Sequence, residues 1–247
     1  MIPKIIHYCW FGRNPLPPLA KKCIKSWKKF LPDYEIKEWN EDNFDVNMIP
    51  YTKEAYESKK YAFVSDYARF WILFHHGGLY FDTDVEVIKP MDNIIKRGPF
   101  MGCENKASDT SVASVAPGLG LGVNPGLKLY KDLLEHYSHL HYKLSDNNYN
   151  TATIVTITTE YLVNKGLKAT NSIQRIEDVY IYPKEYFCPK DYYTGIINIT
   201  QNSYTIHHYD ASWLPWYEKL ERSIFNFLGL RYRGLIKRRL LPIIRLI

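Results

Sequence analysis

Between Tyr61 and Phe74 nearly every residue is apolar or aromatic, and Asp66 and Arg69 are the only charges. A helix of that composition is buried almost all round, so the rest of the chain must wrap other elements about it. Gly77-Gly78 supplies a C-terminal stop, and Leu79–Asp82 runs directly on as a short strand. Asp66 and Arg69 stand one turn apart on the same helix face. Burying an ion pair rarely improves on apolar packing. A pair that opens onto a polar ligand is therefore the stronger reading, with a purely internal ion pair as its rival.

The remaining elements fall on both sides of this unit. Lys4–Phe11 is an apolar, β-rich run that reads as a first strand. Pro17-Pro18 opens an amphipathic helix that reaches about Phe30 and stops before Pro32. Tyr34–Trp39 alternates as a half-exposed strand, followed by a polar, partly helical connection. Val85–Ile88 reads as a strand, 126–137 and 156–165 as helices, and Asp178–Tyr182 and Ser203–His208 as strands. The strand–helix–strand order of the first half predicts an α/β fold: one Rossmann-like mixed sheet flanked by helices.

Charge divides the chain in two. Of 32 Lys and Arg against 26 Asp and Glu, seven cations and no acid fall in residues 222–247, leaving residues 1–221 at a net −1. A near-neutral body argues against a broad nucleic-acid-binding surface. The expected organisation is a folded body over residues 1–221 and a basic amphipathic tail over 222–247. The tail's cations alternate with twelve residues such as Phe225, Leu228, Leu235 and Ile243, which suits a helix lying in a membrane interface. A helix packed on a partner subunit is the other reading. Four dispersed cysteines without a C-x-x-C read as reduced thiols. With neither a signal-peptide core nor a spanning segment, the expected location is cytoplasmic, peripheral on the inner face of the cell membrane.

Asp82-Thr83-Asp84 carries the most chemistry. In extended chain the two carboxylates point to one side, and their repulsion calls for a cation between them or close by. Oxygen ligands of this kind suit Mg²⁺ or Mn²⁺ together with substrate phosphates. Farther on, His207-His208 offers imidazoles, and Ser212-Trp213 offers a hydroxyl and an indole N–H as donors to a diphosphate.

Taken in order, Ile2 to Gly12 (with His7, Cys9 and Trp10), Ser65-Asp66 with Arg69, Gly77-Gly78 with Tyr80, Asp82 and Asp84, and His207 with Ser212-Trp213 resemble the D-x-D-containing glycosyltransferases of family 32. That group includes capsular-polysaccharide synthesis proteins and yeast-type initiating mannosyltransferases, and is a relative of the clostridial glucosylating toxins. The resemblance implies a GT-A fold and a retaining, metal-dependent transfer from a nucleotide-sugar. It places Trp10 on the base, the Cys9 backbone at the base edge, and Tyr80 along the nucleotide pocket. Asp66 and Arg69 take donor-sugar hydroxyls and the diphosphate side, Asp82 takes ribose and metal, and Asp84 is the principal metal ligand. His207, with His208 as its rival, is a third ligand, and Ser212 and Trp213 lie over the diphosphate. Mn²⁺ or Mg²⁺ is the expected cofactor. The expected partners are a nucleotide-sugar (a UDP-sugar favoured), a glycan or lipid-linked saccharide acceptor, and the membrane surface through residues 222–247. Glu104 is the nearest guess for an acceptor-side carboxylate, and a surface Glu is as good a reading.

Other signals weigh less. Gly118-Leu-Gly120-Leu-Gly122 has the wrong spacing for a dinucleotide loop and reads as a tight loop at a sheet edge. His75-His76 caps a helix end, and Asn198-Ile199-Thr200 is a sequon only in a secreted chain. A sugar nucleotidyltransferase and a catalytically silent membrane-bound scaffold of a glycan-assembly complex both stay open.

Overall fold

A computed structural model describes residues 1–145 and 148–210. Ser212, Trp213 and the tail at 222–247 lie outside the described residues. The first half runs β1 (Ile5–Cys9), α1 (Pro18–Phe30), β2 (Glu35–Trp39), α2 (Pro50–Glu57), α3 (Tyr61–His76), β3 (Gly78–Tyr80), β4 (Val85–Val87) and α4 (Asp92–Ile95). The second half runs β5 (Phe100–Gly102), β6 (Leu121–Val123), α5 (Lys128–Ser138), β7 (Lys143–Ser145), β8 (Asn148–Tyr149) and α6 (Ile154–Asn164). It ends with β9 (Gln174–Ile176), β10 (Val179–Tyr182), α7 (Lys184–Phe187) and β11 (Thr205–His207).

Seven strands form one mixed sheet in the order β2-β1-β3-β6-β5-β10-β9. β1 is parallel to β2 and β3, β5 is parallel to β10, and β6 runs antiparallel to both its neighbours. This is the expected α/β architecture. Gly118–Gly122 is not a sheet-edge loop, however: it leads into β6, a strand in the middle of the sheet. The glycines are there because rings take their side-chain space. A Cβ on Gly122 would lie 2.1 Å from the Phe100 ring, and one on Gly120 would lie 3.1 Å from Phe81.

The sheet has a core on each face. α2, α3, α5 and α6 cover one with Tyr51, Val64, Phe70, Tyr130 and Ile157, and α1, α4 and α7 cover the other with Trp27, Ile94 and Phe187. β1 serves both, since its alternation sends Ile6 and Tyr8 to the second core and Cys9 to the first. α1 also holds β4. Trp27 Nε1 donates to the Val85 carbonyl at 2.7 Å, and the Val87 N–H donates to Ser26 Oγ at 2.9 Å. β4 in turn pairs with β11 in a small antiparallel sheet, His207 opposite Val85.

His7 ties the sheet to the end of α3. Its Nδ1 accepts the Trp39 Nε1–H at 3.0 Å, which fixes the tautomer, so Nε2–H donates to the Gly77 carbonyl at 3.0 Å. Gly78 must be glycine here: its φ is +98°, and a Cβ would sit 2.6 Å from the Ile5 carbonyl oxygen. α3 can therefore turn straight into β3, which delivers Asp82 and Asp84 to the end of the sheet where β1 delivers Cys9 and Trp10.

Candidate functional site

The charges of α3 sit beneath the end of β3. Arg69, 4% exposed, reaches Asp66 Oδ1 at 3.1 Å and Asp82 Oδ1 at 3.3 Å, and its Nε donates to the Ser65 carbonyl at 3.1 Å. Its guanidinium lies over the Tyr80 ring, 4.9 Å from the centroid, and the Tyr80 hydroxyl donates to Asp82 Oδ1 at 3.1 Å. The two sequence readings of the helix pair merge. Asp66 and Arg69 are an internal pair, and through Asp82, whose side chain is 30% exposed, that pair opens to the surface. Tyr80 is 1% exposed. Within the chain its hydroxyl supports Asp82.

Asp82 and Asp84 do not share an extended strand as expected. β3 ends at Tyr80, and the Val85 N–H donates back to the Asp82 carbonyl at 3.0 Å, closing a turn at Thr83-Asp84. The turn aims the two carboxylates at different cations. Asp82 faces Arg69. Asp84 Oδ1 meets His207 Nε2 at 3.1 Å, and its Oδ2 accepts the Asp210 N–H at 2.8 Å.

β11 also separates the two histidines. Neighbours on a strand face opposite ways, so with His207 on Asp84, His208 turns to Glu86 at 2.8 Å, where Lys22 also binds at 2.8 Å. His207 Nδ1 is buried without an aligned hydrogen bond, and the Cys188 thiol lies beside the ring.

Burial and pairing tune these groups apart. Burial pushes the Asp66 carboxyl up to about 7, against the pull of Arg69. Asp82 is also raised, chiefly by burial and then by the Asp84 charge, with Arg69 opposing. Burial would raise Asp84 too, but the charge and hydrogen bond of His207 and the Asp210 N–H hold it down at about 2. His207 is the reciprocal case: burial disfavours its charge, and Asp84 lifts it to about 10.

The other expected residues flank this centre. Cys9 is buried, and burial raises its thiol to about 12, so only its backbone is available to a ligand. Trp10, partly exposed, follows β1; its Nε1 donates to the Asn14 carbonyl at 2.6 Å. Glu104 is not a plain surface Glu. It is half-buried, burial raises its carboxyl, and His207 and Lys184 are the cations that face it. Gly118 escaped sequence reasoning. The Asp82 N–H donates to its carbonyl at 3.1 Å, and a Cβ there would lie 2.0 Å from Asp82 Oδ2 and 3.2 Å from Arg69 Nη1. Only the offset of a G-x-G-x-G run after the D-x-D hinted at it.

Among the described residues no three His, Cys, Asp or Glu side chains converge as a preformed metal cage. The donor set nevertheless fits a hard divalent cation. Asp84 is a hard oxygen donor that already faces a positive charge, and His207 would become a second donor once its imidazolium gives up the proton shared with Asp84. Mg²⁺ or Mn²⁺ takes one or two carboxylates plus substrate phosphates. Two open grooves, of about 510 and 790 Å³, lie elsewhere, one by Lys53, Glu57 and Lys143 and the other by Asn124, Lys128 and Arg175. Neither borders the paired aspartates, so the site is placed by its charge chemistry.

Residues 17–101 match the family described as "Glycosyltransferase sugar-binding region containing DXD motif". Inositol phosphoceramide mannosyltransferase 1 of Schizosaccharomyces pombe is 28% identical over 111 residues, covering 40% of this chain and 33% of the relative. An uncharacterised glycosyltransferase of Acanthamoeba polyphaga mimivirus is 34% identical over 106 residues, covering 40% of this chain and 42% of the relative. The chain thus spans well under half the length of these curated relatives. Among solved structures, PaToxG glycosyltransferase aligns with a TM-score of 0.47 at 18% identity, covering 67% of this chain and 70% of that one. The galactosyltransferase LgtC, solved with donor and acceptor sugar analogues, aligns at 0.43 and 12%, covering 91% and 95%. The family match spans the region that holds Asp66, Arg69, Tyr80, Asp82 and Asp84.

Proposed function

We propose, for a chain that carries the D-x-D sugar-binding region at residues 17–101, a metal-dependent retaining glycosyltransferase that moves a hexose from a nucleotide-sugar to a glycan acceptor. The observation that carries this reading is the pairing of Asp84 with His207 at 3.1 Å beside an Arg69–Asp82 contact of 3.3 Å. Two anionic groups meet two cationic ones at one sheet end, an arrangement suited to a diphosphate and its counter-ion.

Asp84 and His207 would hold Mn²⁺ or Mg²⁺, with Asp82 on the ribose side. The ion would supply Lewis-acid stabilisation of the charge that grows on the departing nucleoside diphosphate. Arg69 and Asp66 would act on the donor-sugar and diphosphate side through Asp82, which Arg69 holds at 3.3 Å. Trp10 stacks on the base, a contact that contributes on the order of 1–3 kcal/mol. Cys9 contributes its backbone, and Ser212 and Trp213 are the donors from beyond the described residues. The acceptor oxygen bonds to the anomeric carbon on the face the diphosphate leaves. The bond from that carbon to the phosphate oxygen breaks, and the acceptor's proton passes to the leaving group. Glu104 orients the acceptor.

A UDP-hexose is the favoured donor. The relatives named for mannosyl transfer to inositol phosphoceramides put a mannose nucleotide in the same panel and support a lipid-linked acceptor, here a capsular or lipopolysaccharide precursor. Residues 222–247, as a tail of seven cations without an acid, would hold the enzyme on the inner membrane face. Among the described residues no helix is long and apolar enough to cross a membrane.

The test is release of nucleoside diphosphate from UDP-glucose, UDP-galactose, a UDP-N-acetylhexosamine and GDP-mannose with Mn²⁺. One donor should turn over, and Asp84→Ala should abolish that turnover. Undiminished turnover by Asp84→Ala at saturating Mn²⁺ rejects the metal role. Pyrophosphate among the products marks a nucleotidyltransferase. A chain that binds no nucleotide-sugar by calorimetry is a scaffold.

A further inference from the structure

Next to the charged centre the chain makes a loop at 190–199 whose composition and geometry disagree with an ordinary solvated connection. Ile196, Ile197 and Ile199 are 56%, 42% and 59% exposed, and Tyr193 beside them is 40% exposed. Single exposed apolar residues need no explanation; a contiguous group does.

The loop is also well braced. Asp191 Oδ1 accepts the N–H groups of Tyr193 and Thr194 and the Thr194 hydroxyl, at 2.8–3.0 Å. The Asp191 N–H donates to the Ile196 carbonyl at 2.8 Å, and Lys190 bridges Ile197 in antiparallel register. Gly195, at φ +73°, makes the turn. The one acid of the loop is committed: its Oδ1 braces the turn and its Oδ2 faces Lys184 at 3.9 Å.

The base of the loop is fastened to the site. Lys190 Nζ donates to the His208 carbonyl at 2.7 Å, and the Tyr192 ring packs on Tyr209, which packs on His207. The chain leaves this corner at Asp210, and its last 26 residues hold seven cations, twelve or more apolar residues and no acid. A braced loop with exposed isoleucines, in a chain whose sequence continues past Asp210 into a segment of seven cations and no acid, matches one occupant: the surface of an anionic bilayer, with side chains in the acyl boundary and cations at the headgroups.

We infer that the 193–199 loop is a membrane-insertion loop that seats the mouth of the site on the bilayer. The inference deepens the proposed acceptor class, because a site fixed at that height meets the headgroup of a lipid-linked saccharide rather than a free one. It rests on the transferase reading for that consequence alone; the binding does not.

The experiment uses the full chain and vesicles of phosphatidylcholine with about one third phosphatidylglycerol, a composition chosen to give an anionic surface. Ile196→Ser/Ile199→Ser should weaken vesicle binding by about tenfold or more, from the lost burial of two side chains, and leave turnover of soluble donor unchanged. Because the four native cysteines are buried, Ile199→Cys can be labelled selectively with a polarity-sensitive dye, whose emission should shift to the blue on adding vesicles. Undiminished vesicle binding by the double variant overturns the inference, as does a dye that ignores vesicles to which the chain binds. A parent chain that is dimeric by light scattering and becomes monomeric in the double variant overturns it too, in favour of a self-contact. A parent that binds vesicles through the loop but turns over no donor refutes the transferase reading and leaves the loop standing.

Discussion

Acid should unfold this protein through His7, and the size of the effect follows from its surroundings. The imidazole is 1% exposed, between the Trp39 indole N–H and the Gly77 carbonyl, with the His76 ring centroid 6.2 Å away. Burial, then the His76 and Lys37 charges, hold it down at about 4 against an ordinary 6.5. A base whose folded value is depressed stabilises the fold above its unfolded value, and the stability is lost as pH falls through the folded one. Linkage gives a loss of about 2 kcal/mol between pH 7 and pH 5, approaching about 3 kcal/mol below pH 4. Asp66 and Glu104, both raised, act in the opposite sense over the same window, so a single pH profile would mix the effects. The clean measurement is a difference. His7→Asn keeps an acceptor for Trp39 and strands the Gly77 carbonyl, costing about 1–3 kcal/mol at neutral pH. It also removes the titration. Urea unfolding followed by tryptophan fluorescence, at pH 7 and pH 5, should find the variant losing about 2 kcal/mol less than the parent over that interval. Equal losses would mean that His7 is already free to protonate in the fold, and the argument from its two hydrogen bonds would fail.

Two further outcomes bear on the site. Gly118→Ala places a Cβ 2.0 Å from Asp82 Oδ2; displacing the carboxylate by that clash should cut donor turnover by about a hundredfold, and a variant of full activity in a nucleoside-diphosphate assay rejects the close approach. Glu104→Gln should lower transfer to the glycan acceptor about tenfold or more while hydrolysis of the donor by water continues; equal falls in both assign Glu104 to the donor side.

Legibility in the sequence followed how local each cause was. α1, α3, β1, β2 and β4 could be read from periodicity, proline and glycine, because their signals lie within the element. β6 could not. Three residues ending a glycine-rich run read as a loop; they pair as a strand with β3 and β5, and the rings of Phe100 and Phe81 that take the side-chain space of Gly122 and Gly120 come from elsewhere in the chain. The choice between His207 and His208 failed for a similar reason: alternation separates two neighbours on a strand, but the pairing of β11 with β4 decides which of them faces Asp84. Asp82 and Asp84 were found, and their geometry was misjudged, since a turn and a strand end are spelled alike in three residues.

The turn at Thr83-Asp84 changes what the D-x-D does. Two carboxylates on one strand face would be near-equivalent ligands of a single ion, each shifted by the other. The turn breaks the equivalence. Asp84 is held low, at about 2, by His207 and the Asp210 N–H. Asp82 is raised by burial and committed to Arg69 and Tyr80, so its orientation depends on α3 rather than on a ligand. Groups driven apart by their surroundings take different tasks. Asp84 is thus the carboxylate that faces the charge of His207. Asp82 couples the ligand side to the buried Asp66–Arg69 pair, and a neutral substitute for Asp66 would be felt at the D-x-D without touching it.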